Sequence, residues 1–195
     1  MIRIIRPDCP NESALSSGNY KHPDNKNVLK NASHDKCMYC ESKISHVYYG
    51  DIEHIKPKSK YPSLKYEWSN LGFVCSKCNG IKKDEYLEDT PYINPYEEEP
   101  TDHLLALGAF IMQKRGSERG EITISEELGI GLNRTQLLEK RNERLKSIQK
   151  AIDSCFRTHN VALQELALIE LKNECCSDKE YSLCVKALLK SNDLL

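Results

Sequence analysis

The chain has 195 residues, 39% of them apolar and 29% charged, and its acids and bases nearly cancel to a net charge of −1. That is enough for one sizeable domain or a small domain with a helical companion, and it excludes nucleic-acid contact driven by overall charge, so a phosphate-binding surface has to come from local clustering. No stretch approaches the roughly 20 apolar residues of a membrane span, and Met1–Pro10 lack the charged-then-apolar order of a secretory leader; a cytoplasmic protein without membrane contact is expected, its nine cysteines reduced.

In chain order, residues 1–36 read as a loop-rich lead-in with a short helix near Asn27–Ala32. Residues 37–90 hold nearly all the unusual chemistry. There the β-prone Val47–Gly50 leads into a strand ending at Glu53-His54, followed by a loop over Lys56–Trp68, a second strand near Leu71–Val74 and a helix from about Cys78, a ββα order. Residues 91–195 begin with the proline-punctuated linker Pro91–Pro100. Ala106–Lys114 and Glu121–Ser125 then read as a short hairpin turning at Gly116–Gly120. Asn133 with Gln136 is a capping box. It opens a helix from about Arg134 to Phe156, with Leu138, Leu145, Ile148, Ile152 and Cys155 at helical spacing. A second helix is expected over Val161–Cys175, and Ser177 with Glu180 opens a last one to about Lys190. The fold class is α+β, with a mainly helical C-terminal region that reads first as scaffold and alternatively as a docking surface.

Cys37-Met-Tyr-Cys40 and Cys75-Ser-Lys-Cys78 are two CxxC knuckles. Thiolates two residues apart on a tight turn both reach one metal, and two such turns complete a closed tetrahedral zinc site, structural rather than catalytic. A redox CxxC is the alternative for either knuckle alone. His34 and His46 flank the first knuckle as substitute ligands. Cys9, Cys155, Cys175, Cys176 and Cys184 have no ligand spacing and default to buried apolar thiols.

Between the knuckles stand Asp51-Ile-Glu-His54, Tyr66-Glu-Trp-Ser-Asn70 and, with the second knuckle, Cys78-Asn79. Phosphodiester hydrolysis needs an activated water and neutralisation of developing charge. His54 suits proton abstraction from water. Glu53 beside it and Asn79 at the helix start offer oxygen ligands for one hard divalent cation, Mg²⁺ with Mn²⁺ as substitute. Strand neighbours point to opposite sides, so Glu53 and His54 can share a site only at a strand end. Lys56, Lys58, Lys60, Lys82 and Lys83 crowd the motif and are expected on phosphates, the bland alternative being a solvated face. Tyr61, Tyr66 and Trp68 could stack on bases.

These motifs resemble the HNH endonuclease family, the ββα-metal finger, in its zinc-braced four-cysteine variant. The resemblance implies that His54 is the general base, Asn70 a residue that orients it and braces the loop, and Glu53 and Asn79 metal ligands; it also implies a 5′-phosphate product. Glu53 stands where many members carry Asp or His. Ile52-Glu-His-Ile-Lys-Pro-Lys-Ser59, Trp68-Ser-Asn-Leu71, Ile93-Asn-Pro95 and Gly131-Leu-Asn-Arg134 further resemble PtuB-type HNH proteins. Those work beside an ABC-type ATPase, PtuA, in anti-phage defence, which implies nucleic acid as substrate and such an ATPase as partner. Residues 37–141 carry the resemblance. Two other readings stay open: a non-catalytic zinc module that binds nucleic acid, and an assembly subunit with a dead site.

Overall fold

The computed structural model describes residues 1–44 and 49–195. Two short antiparallel strands carry the central motif: β1 (Asp51–His54) pairs with β2 (Leu71–Val74), setting Ile52 opposite Phe73 and His54 opposite Leu71. Of the β-prone run ahead of β1, Val47 lies outside the described residues, and Tyr49 and Gly50 stand outside the strand. Gly50 turns the chain with φ +67°, and a Cβ there would meet the Phe73 ring at 2.4 Å; only glycine fits. Asn70 closes a 3-10 turn (Trp68–Asn70) that runs straight into β2.

The expected helix follows as α3 (Ser76–Lys82), starting two residues before Cys78. The reason is local. Cys75 takes the N-cap, its Sγ accepting from the Cys78 backbone N–H at 3.4 Å, the task usually given to a Ser or Asp oxygen.

The N-terminal residues are more ordered than a lead-in. Besides α1 (Glu12–Ser16) they form α2 (Pro23–Ala32), which opens four residues earlier than expected because Pro23 is preset for the first helical turn. This segment is tied to the central unit. Arg6 donates to the carbonyls of Trp68 and Leu71 at 2.8 and 2.9 Å, the Trp68 indole donates to Pro7 O at 2.8 Å, and Lys26 donates to Gly50 O at 2.7 Å.

The hairpin forms elsewhere than expected. β3 (Leu104–Leu107) pairs with β4 (Phe110–Gln113) around Gly108 and Ala109, Gly108 having φ +57°. The run taken for its second strand is instead α4 (Glu118–Ile124). Ser117 Oγ accepts from Gly120 N at 3.1 Å, and Glu118 and Glu121 stand in the first turn, where the helix dipole favours acids. Three further helices are α5 (Thr135–Arg157), α6 (Val161–Asn173) and α7 (Ser182–Ser191). Neither capping box forms. The Asn133 amide clamps β4, accepting from Ile111 N at 2.9 Å and donating to Ile111 O at 2.8 Å. Ser177 meets His34, Glu180 accepts from Lys43 N at 2.7 Å, and α7 opens after Tyr181 at φ +54°. In both cases a tertiary partner wins over the local cap.

Leu145, Ile148, Ile152 and Cys155 of α5 are buried in one cluster with Leu171, Val185 and Leu189 and with Leu71, Phe73 and Cys78 of the central unit. The inner face of the helical region is therefore core, while Leu163, Leu166 and Ile169 of α6 face outward. No helix among the described residues is long and apolar enough to cross a membrane. Because Ile152 is 1% exposed, Ile152→Ala is expected to lower unfolding free energy by about 2–5 kcal/mol in a urea titration. Unchanged stability would mean that α5 stands apart from the core.

Candidate active site

The four knuckle sulfurs lie within 4.8 Å of one another, and Cys40 Sγ and Cys75 Sγ are 3.9 Å apart. A tetrahedron with metal–sulfur bonds of about 2.3 Å has edges of about 3.8 Å, so the shell is already near the size zinc requires. Cys37, Cys40 and Cys78 are buried. Arg134 donates to Cys78 Sγ at 3.4 Å. Burial opposes its charge, but Cys78 and Cys40 raise its pKa above the ordinary value; the guanidinium faces a shell that is net negative once ionised. Ser42 Oγ stands 3.3 Å from Cys40 Sγ and 2.9 Å from the Tyr181 hydroxyl. Of the substitute ligands, His34 contacts Ser177 and His46 lies outside the described residues. Cys155 and Cys184 are buried as expected, whereas Cys176 is exposed and Cys175 half-buried, because α6 ends before them and leaves them at the surface.

A cleft of about 160 Å³ opens beside β1 and α3, and Glu53, His54 and Asn79 all line it, with Asp51, Lys58 and Lys82. β1 ends at His54, so the strand neighbours share one cavity. His54 is largely buried, and its Nε2 is 3.0 Å from the Lys65 carbonyl. A carbonyl only accepts, so Nε2 carries the proton and the neutral ring keeps Nδ1 as its acceptor. Burial holds the ring below its ordinary pKa, against the opposing pull of the Lys65 carbonyl, which favours the neutral form that a base needs.

Glu53 is 2% exposed, and burial pushes its carboxyl up to about 7 against the pull of Lys82. Lys82 Nζ lies 2.6 Å from Oε1 and donates to His54 O at 3.0 Å. The contact with Glu53 is a close, buried ion pair, and the attraction of Lys82 draws the carboxyl down against burial. A buried carboxylate and an amide lining the same cleft offer the oxygen donors that suit a hard divalent cation.

Asn70 is 5% exposed and stands behind the cleft. It accepts from Lys56 N at 2.7 Å and donates to Lys56 O at 3.0 Å and Leu64 O at 3.1 Å. It thus fixes the loop whose next carbonyl, that of Lys65, holds His54. Of the five lysines expected on phosphates, Lys58, Lys82 and Lys83 line the cleft, and the ammonium of Lys82 is buried against Glu53. Lys56 rests over Tyr61 and Tyr86 at 5.4 and 5.6 Å, and Lys60 is 3.9 Å from Glu85; neither reaches the cleft. Trp68 is pinned to Pro7. The sequence reading missed Tyr20, whose ring stands edge-on to His54 at 4.6 Å; it sits in a stretch with neither periodicity nor motif, and nothing local announced it.

The ββα unit braced by four cysteines, with His54 at the end of its first strand and Asn79 on its helix, lies within residues 37–85, which match the family model described as HNH endonuclease. Beyond the domain, the chain is similar to "Septu protein PtuB" of Bacillus thuringiensis, 28% identical over 216 aligned positions that cover 99% of this chain and 83% of that one. It is also similar to "Septu protein PtuB" of Bacillus mycoides (strain KBAB4), 32% identical over 161 positions covering 67% of this chain; the match spans 54% of that relative's length.

Cys78→Ser is expected to lose one tightly held zinc per chain by metal analysis and to lower thermal stability, since a closed metal site contributes directly to folding. Full stability without metal would refute a structural site. Asn70→Ala strands the buried partners of the amide, at a cost of about 1–3 kcal/mol. Limited proteolysis should then cut first within residues 56–65, and an unchanged digestion pattern would argue against the clamp.

Proposed function

We propose that this protein is a cytosolic metal-dependent endonuclease that hydrolyses phosphodiester bonds in nucleic acid. The observation that carries the reading is His54 with Nε2 tied to the Lys65 carbonyl and Nδ1 left as acceptor, in one cleft with Glu53 and Asn79. Nδ1 takes a proton from water, the water oxygen forms a bond to phosphorus, and the bond from phosphorus to the 3′-oxygen breaks, leaving a 5′-phosphate. Glu53 and Asn79 would hold one Mg²⁺ or Mn²⁺, which supplies neutralisation of charge on the phosphate and leaving oxygens. Asn70 and the Lys65 carbonyl fix the imidazole, and Tyr20 packs against its edge. Lys58 and Lys83 attract phosphate at the cleft. Cys37, Cys40, Cys75 and Cys78 hold structural Zn²⁺ and thereby fix the helix that carries Asn79.

Similarity to proteins named as Septu PtuB supports a role in anti-phage defence beside an ABC-type ATPase like PtuA. The test is cleavage of plasmid DNA and of total tRNA with Mg²⁺ or Mn²⁺, with and without that ATPase. Metal-dependent cutting is expected, reduced about 10²-fold or more in His54→Ala, the scale of a lost general base. Cutting that is indifferent to the substitution sinks the mechanism. Absence of cutting with the partner present favours a zinc-containing binding or assembly subunit.

A further inference from the structure

Above the His54 cleft lies an aromatic and basic rim drawn from two separate parts of the chain. Tyr20, from the turn between α1 and α2, stands 4.6 Å from His54 on one side and 6.3 Å from Tyr66 on the other, the two tyrosine rings tilted by 45°. Tyr66 is 38% exposed. At that spacing and tilt the rings do not stack on each other. Three ammonium groups sit on them: Lys58 at 5.2 Å and Lys21 at 5.8 Å over Tyr20, and Lys65 at 4.9 Å over Tyr66. Lys58 also donates to the Tyr20 hydroxyl at 3.0 Å. Gly18, at φ +86°, makes the turn that brings Tyr20 here, and a Cβ on it would lie 3.4 Å from the Tyr66 hydroxyl, in ordinary contact.

The chemistry of this rim is particular. An exposed aromatic face recognises a planar ring, and cations around it recognise phosphate; interleaved, they are the two halves of a nucleotide-binding surface. In a duplex both faces of each base are covered by neighbours, so a protein ring can stack only on a base that is unpaired and splayed out. Cation–π contacts at exposed sites are weak, about 0.5–1 kcal/mol each, so the lysines can leave the rings for phosphates when a base arrives. Since Tyr20 touches both His54 and Tyr66, a base on this shelf belongs to a nucleotide next to the phosphate that faces His54.

We propose that the Tyr20–Tyr66 shelf, rimmed by Lys21, Lys58 and Lys65, receives unpaired nucleotides of the substrate strand, and that the protein selects single-stranded or locally opened nucleic acid over duplex. The register with His54 rests on the nuclease reading, but binding to the shelf does not require cleavage.

The test uses the full, zinc-loaded chain carrying His54→Ala, so that bound strand stays intact. The probe is a fluorescent oligonucleotide of about 12 nucleotides, within the ~4–16 nucleotides of known single-strand grooves. It is made as DNA and as RNA, each alone and annealed to its complement, with 2-aminopurine as a stacking reporter. Anisotropy should show tighter binding of the single strand in at least one sugar chemistry. Tyr66→Ala should weaken single-strand binding about 5- to 150-fold, the equivalent of one lost base stack, abolish 2-aminopurine quenching and leave duplex binding nearly unchanged. Tyr66→Phe should retain both affinity and quenching. Duplex bound as tightly as single strand, no binding of either, or Tyr66→Ala binding like its parent would overturn the proposal. His54-dependent cleavage with Tyr66-independent binding removes the shelf and keeps the nuclease; Tyr66-dependent binding without His54-dependent cleavage does the reverse.

Discussion

Cys37 and Cys40 stand before the two strands, and Cys75 and Cys78 at the start of the helix that follows them, so bringing four sulfurs into one shell closes the loop that carries Glu53 and His54. A metal held across such a loop would remove conformational freedom from the unfolded chain, and the sulfurs also set direction. Cys75 both enters the shell and caps α3, so one residue fixes the start of the helix, and with it the positions of Asn79 and Lys82, one and two turns on. Ahead of β2, Asn70 holds the loop that runs from Lys56 to the Lys65 carbonyl. His54 and Asn79 therefore share one cleft because two independent restraints, sulfur on one side and amide on the other, stop their respective segments from sliding.

The floor of the cleft has an unusual electrostatic character. Glu53 and Lys82 are nearly solvent-free, and taking two charges out of water costs several kcal/mol each unless geometry recovers it. Their 2.6 Å contact offsets part of that cost, yet burial still leaves the carboxyl raised to about 7. An apolar pair would serve stability as well or better, so the pair is better understood through the cleft it borders than through the fold. A fixed ammonium beneath a carboxylate favours the ionised acid, the form that binds cations, and its hydrogen bond to His54 O ties the strand end to the helix.

Much of this was legible in the sequence because the signals were local. Two CxxC spacings announced the sulfur shell, a β-prone run ahead of Asp51 pointed to β1, and helical periodicity gave α5. What failed did so where a local signal had a distant competitor. Asn133 and Ser177 are good helix caps by composition, yet one clamps β4 and the other meets His34. Glu121–Ser125 is β-prone, yet Ser117 and two acids in the first turn make it helical. Lys82 looked like one more surface lysine, since nothing in a run of basic residues says which one faces inward. Tyr20 lies 34 residues before His54, and only the folded chain brings them together.

Gly131-Leu-Asn-Arg134, far downstream of the nuclease motif, works as a strap. Gly131 at φ +66° lets the chain pass close over Ile81 of α3, Asn133 grips β4 and Arg134 reaches the Cys78 sulfur. From the far end Tyr181 meets Ser42, and Ser182 donates to Glu41 beside the first knuckle. The finger is consequently not a portable module. Transplanted alone onto another scaffold, it would leave behind the cation that faces its sulfur shell and the polar contacts that seat its first turn.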